Sequence, residues 1–121
     1  MSFRSILTDI VEQVDGGIGA VILGYDGIAI DEYIKPDEES LDMQLLAVEY
    51  TTLLKEIRKT IEVLQTGALE EVSVSSGQTR IIVYAINDDF FVVLALKSDG
   101  NFGKGRYLLK RIVPQLQADL Q

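Results

Sequence analysis

The stretch LDMQLLAVEYTTLLKEIRKTIEVLQ, residues 41–65, decides how the chain folds. At about 100° per residue, Leu46, Tyr50, Leu53, Leu54, Ile57, Ile61 and Leu64 fall on one stripe, as a helix packed on its own domain requires. Leu41, Leu45, Val48 and Val63 lie on the far side with Thr52, Lys55 and Lys59. A domain with one core leaves such a second stripe facing water or covered by something else. The chain's own first or last helix is one candidate cover. A sheet has two faces, however, and terminal helices on one face with the long helix on the other leave its outer side bare. The second stripe therefore reads as a docking surface for another molecule.

The rest of the chain supplies the sheet. Residues 2–14 place Phe3, Ile6, Leu7, Ile10, Val11 and Val14 at helical spacing before Gly16 and Gly17 stop the helix. The run 20–23 reads as a buried strand and 28–33 as its antiparallel partner, with Asp26 and Gly27 at the turn. The acidic segment 35–40 places carboxylates near the positive end of the long helix, which Gly67 ends. Runs 71–75, 79–85 and 90–96 form a β-meander, and Tyr107, Leu108, Ile112, Val113 and Leu116 sketch a last helix that Pro114 shortens or bends. The expected fold is α+β, in the order α-β-β-α-β-β-β-α. A five-stranded antiparallel sheet lies between the long helix on one face and the N- and C-terminal helices on the other. No repeat or linker divides the chain, so residues 1–121 read as one domain.

Composition excludes several functions. The chain holds 11 basic and 19 acidic residues, and its net charge of −8 opposes attraction to nucleic acid or an anionic membrane. It has no cysteine and no histidine, which removes thiolate metal sites, cysteine nucleophiles and any Ser-His-Asp triad. Arg4 and Asp9 interrupt the first apolar run, so no signal-peptide core forms, and no later run is long enough to span a membrane. A cytoplasmic location is the expectation.

The suggestive motifs have plainer readings. Gly16-Gly17-Ile18-Gly19 follows a helix and opens a strand, the reverse of a dinucleotide fingerprint, so it reads as a helix stop and tight turn. Gly100-Asn101-Phe102-Gly103-Lys104-Gly105-Arg106 lacks P-loop spacing and a Ser or Thr after Lys104, and reads as a flexible connection whose Phe102 packs on the sheet. Asp37, Glu38 and Glu39, and likewise Asp88 and Asp89, lack EF-hand spacing and suit turns and a helix start. Arg58, Arg80, Arg106 and Arg111 could each act on a phosphate in trans, and each reads more simply as a surface charge. No metal, cofactor or catalytic residue is expected.

The run from Val14 through Gly16-Gly17-Ile18-Gly19 and Tyr25-Asp26-Gly27-Ile28 to Ala29, the long helix, and the late Gly100-to-Arg106 segment together resemble the roadblock/dynein light-chain family. The likeness is greatest to its MglB-like bacterial gliding-motility regulators and covers essentially the whole chain. It implies a profilin-like fold and a homodimer in which the third strand, Glu71, Val72, Ser73, Val74 and Ser75, pairs with its mate. It also implies that the two long helices lie side by side and engage a Ras-like (MglA-type) small GTPase, stimulating hydrolysis without an arginine finger, in cell polarity and gliding. The residues this assigns to dimer seam or partner are Leu41, Leu45, Val48, Thr52, Lys55, Lys59 and Val63. A scaffold or adaptor that leaves nucleotide turnover unchanged is the alternative.

Overall fold

The computed structural model describes residues 2–38 and 41–121. Glu39 and Ser40, at the end of the acidic segment, lie outside the described residues. The strand β1 (Gly17–Gly24) is buried at every position, which a run of Ala, Val, Ile and Leu tolerates only with both faces covered. It pairs antiparallel with β2 (Ala29–Ile34) on one side and β5 (Phe90–Lys97) on the other. β4 (Thr79–Ala85) and β3 (Glu71–Ser75) extend the sheet antiparallel to the order β2-β1-β5-β4-β3, leaving β2 and β3 as edges.

Helices α1 (Phe3–Gln13) and α3 (Phe102–Asp119) cover one face and α2 (Met43–Leu64) the other. Alternation along the strands divides their side chains accordingly. Ala20, Ile22, Val92, Leu94 and Leu96 meet α1 and α3, while Val21, Leu23, Phe91, Val93 and Ala95 meet α2. Each helix starts on a polar cap: Ser2 accepts from the Ser5 amide, Asp42 from Leu45, and Asn101 from Lys104. The α2 cap is thus Asp42 rather than the preceding acidic run. Residues Pro36–Glu38 form a 3-10 turn, and Glu38 is ion-paired with Lys97 at 2.6 Å.

Two glycines are needed where they stand. Gly16 has φ +83°, and a Cβ there would lie 2.6 Å from the Gly100 Cα, so the end of α1 and the β5–α3 connection meet backbone to backbone. Gly105, inside α3, would press a Cβ to 3.2 Å from both Leu94 and Leu96, so its lack of a side chain brings the helix close to the sheet.

The structure corrects three readings. Gly100 through Arg106 is not a flexible connection: α3 begins at Phe102, whose ring does pack on the core. The helix also continues through Pro114 to Asp119, so the proline does not shorten it. Leu53 and Leu64 belong to no core, being 41% and 64% exposed. The buried side of α2 is Met43, Leu46, Ala47, Thr51 and Leu54, turned toward two small residues that let the helix sit low on the sheet. The Thr51 hydroxyl is buried without cost because it donates to the Ala47 carbonyl at 2.7 Å.

Candidate docking surface

The outer side of α2 is bare. Leu45, Val48 and Val63 are 57%, 55% and 76% exposed, and the displaced Leu53 and Leu64 widen the apolar row they form. Thr52, Lys55 and Lys59 are exposed beside them, whereas Leu41 is half-buried and packs against the α2-side core. Thr52 turns its hydroxyl to the Val48 carbonyl at 3.2 Å, which leaves its methyl group to the row. Covering one such aliphatic side chain completely is worth about 1.5–3 kcal/mol, so the row carries substantial unused binding energy.

The β3 edge is the second exposed element. Its register on β4 pairs Val72 with Val83 and Val74 with Ile81, and the flanking bonds Ala85 N–H to Glu70 O and Ser76 N–H to Thr79 O fix the phase of the ladder. By antiparallel alternation the backbone groups of Glu71, Ser73 and Ser75 then point away from β4, free to pair with another strand. Val72 packs against the α2-side core, and Val74 shares its side of the strand.

Glu71 has a task within the chain. Its carboxylate accepts from Arg106 Nε at 2.6 Å and Nη2 at 2.8 Å, and from the Tyr84 hydroxyl at 2.7 Å. The Arg106 guanidinium, foremost, holds the carboxyl below its usual range. Burial, reinforced by Glu71, pushes the Tyr84 phenol up to about 12. This network ties the edge strand to α3. No periodicity signalled it, because its members are distant in sequence.

Other arginines are similarly engaged. Arg58 stacks 4.1 Å from the Tyr25 ring centre and donates to the Asp88 carbonyl at 3.1 Å, clamping α2 to the β4–β5 turn. Arg80 lies over Phe102 at 5.5 Å. Asp88 and Asp89 occupy a turn in which Asn87 Oδ1 accepts from the Asp89 and Phe90 amides. Among the described residues no group of His, Cys, Asp and Glu is arranged to hold a metal, and no helix is long and apolar enough to cross a membrane.

This architecture, an antiparallel sheet of five with α2 on one face and two terminal helices on the other, is that of roadblock/LC7 domains. A Streptomyces avermitilis roadblock/LC7 domain matches with TM-score 0.83 at 16% identity over 99% of this chain and 98% of its own. Gliding protein MglB from Thermus thermophilus matches with TM-score 0.84 at 14% identity over 94% of this chain and 84% of its own. MglC from Myxococcus xanthus is 42% identical over 98% of this chain and 99% of its own, with TM-score 0.71. The chain belongs to the roadblock/LC7 family. The sequence likeness runs to MglC, and MglB shares the fold. No protein-family model and no curated protein matches the chain.

Proposed function

We propose that the chain is a non-enzymatic, homodimeric regulatory subunit of an Mgl-type system in the cytoplasm, docking a Ras-like (MglA-type) small GTPase on the outer surface of α2. The observation that carries this reading is the bare apolar row Leu45, Val48, Leu53, Val63 and Leu64 in a member of the roadblock family. The free β3 edge supports dimerisation, and an MglB structure with a tetrameric arrangement gives a fold relative that self-associates. Such a GTPase hydrolyses slowly until its attacking water is oriented and transition-state charge is stabilised. A docked dimer that prefers the GTPase conformation with these groups in place raises turnover through differential binding alone. Arg58, Arg80 and Arg106 already have partners within the chain, so this reading leaves the chemistry to the GTPase.

The test is single-turnover GTP hydrolysis by an MglA-type GTPase, without and with saturating chain, repeated with Arg58→Ala. Faster hydrolysis with either form is expected. An arginine finger contributes about 10³ to 10⁵ in rate, so a thousand-fold loss with binding retained would assign Arg58 that role and overturn the mechanism.

The same bare row also fits a second reading, an adaptor that binds its partner and leaves turnover unchanged. Binding with unaltered hydrolysis selects the adaptor. Absence of binding contradicts both readings.

A further inference from the structure

The outward side of α3, on the face of the sheet opposite α2, is basic in an acidic chain. Residues 100–118 hold Lys104, Arg106, Lys110 and Arg111 and no carboxylate, although the chain has 19 acidic residues against 11 basic ones. At about 100° per residue, Gly103, Tyr107, Pro114 and Ala118 form an exposed seam, with Lys104 and Arg111 along one flank and Arg106 and Lys110 along the other. Tyr107 is 61% exposed and stands between the two flanks.

This placement does nothing for the helix itself. Lys104 lies in the first turn, where the helix dipole disfavours a cation, and Asp119 in the last, where it disfavours an anion. Arg106 and Lys110, four residues apart, repel each other along one flank. Arg106 is committed to Glu71 at 2.6 Å, and Lys110 lies near enough to join Arg106 in lowering that carboxyl without pairing with it. One carboxylate thus answers two cations on that flank. Among the described residues Lys104, Lys110 and Arg111 enter no ion pair, the pairs being Lys35 with Glu12, Lys97 with Glu38 and Arg106 with Glu71.

We infer that the outer face of α3 is a docking surface for an acidic segment of another protein, which lays its carboxylates against Lys104, Lys110 and Arg111 and a side chain on Tyr107. Charge complementarity selects this occupant. A segment responds to the charges within about 8 Å, one Debye length at physiological ionic strength, and along this face those are cations. A bilayer is the poorer occupant, because it extends past α3 and meets the whole chain, whose net charge is −8. A second copy would bring two such acidic chains together. The surface lies across the sheet from the α2 row and uses no backbone group of β3, so it stands apart from the proposed function.

The experiment uses a labelled peptide of alternating glutamate and alanine, with a neutral glutamine–alanine peptide as control, titrated with the full chain by fluorescence anisotropy and mapped by amide chemical shifts. The glutamate peptide is expected to bind at least about tenfold more tightly than the control and to weaken as salt rises. Its shifts should centre on residues 103–118. Lys104→Gln with Lys110→Gln and Arg111→Gln should remove the preference and its salt dependence, and Tyr107→Ser should weaken binding at every salt concentration. Equal affinity for the two peptides, no binding by either, or shifts centred on α2 or β2 would overturn the inference. So would phosphatidylserine vesicles that carry down the chain while the glutamate peptide fails to bind, which would make a membrane the occupant. Salt-sensitive self-association that is lost in the triple variant would overturn it too, by making a second copy the occupant. The wild-type shift map decides the matter even if a variant folds poorly.

Discussion

Tyr84 shows how a single residue joins the edge strand to the core. Its ring is buried against the terminal helices while its hydroxyl reaches the carboxylate that also holds Arg106. Tyr84→Phe removes that hydrogen bond and is expected to cost about 1 kcal/mol, seen as a melting temperature lower by about 4 °C. Titration gives an independent reading. Folding raises this phenol from 10.0 to about 12, so the folded state holds the proton more tightly than the unfolded chain. Its contribution to stability is therefore complete below pH 10 and is lost as pH rises toward 12. Ultraviolet difference titration of the five tyrosines should show a late-ionising component that disappears in Tyr84→Phe. Tyr25, Tyr33 and Tyr50 are raised as well, so a variant that keeps the same latest component would show that Tyr84 is not the phenol raised furthest. Glu71 acts in the opposite sense. Its depressed carboxyl favours the fold above the ordinary carboxylate range, and that favour is lost as pH falls through its folded value.

At the scale of the element, α2 separates what the sequence discloses from what it hides. Val48 is 55% exposed and Leu54 fully buried. Val48→Asp should thus leave the circular dichroism spectrum unchanged and shift stability by less than about 0.5 kcal/mol. Leu54→Asp should unfold the domain by placing an unpaired charge in the core. Equal unfolding by both would show that the outer row is core. Leu53 does not serve as the buried control, although hydrophobicity alone places it on the inner stripe. Its 41% exposure follows from the helix turning Ala47 and Thr51 to the sheet, and residues of such low or mixed hydropathy do not register in an apolar count. The strands were legible because β-branched runs bounded by Asp26-Gly27, Ser76-Gly77 and Asn87-Asp88-Asp89 leave few alternatives. The start of α3 was hidden by Gly103 and Gly105, poor helix formers whose role emerges only from their distance to the sheet. Exposure of Leu45, Val48 and Val63 was legible from periodicity, whereas the Arg58–Tyr25 stack and the Glu71–Arg106–Tyr84 network depend on tertiary proximity and were not.

Across the whole molecule, the sheet presents two edges with different chemistry: β3, short with outward-pointing backbone groups, and β2, flanked by carboxylates. The account pairs β3 with its mate in a two-fold dimer that places the α2 rows of both copies on one broad surface. Ser73→Pro tests the pairing directly. Its amide points away from β4, so proline removes a donor from the dimer contact and leaves the β3–β4 ladder intact. The variant should sediment as a folded monomer, and an unchanged dimer would place the contact elsewhere.

The most direct test of the central claim is sedimentation velocity of the chain at micromolar concentration, alone and mixed with a GTP-loaded MglA-type GTPase, in wild-type and Val48→Asp forms. The account predicts that the wild-type chain sediments as a dimer alone and as a larger complex with the GTPase, and that Val48→Asp, still folded, loses one or both of these species. A wild-type chain that remains monomeric and fails to bind the GTPase, or a Val48→Asp chain that assembles just as the wild type does, would contradict it.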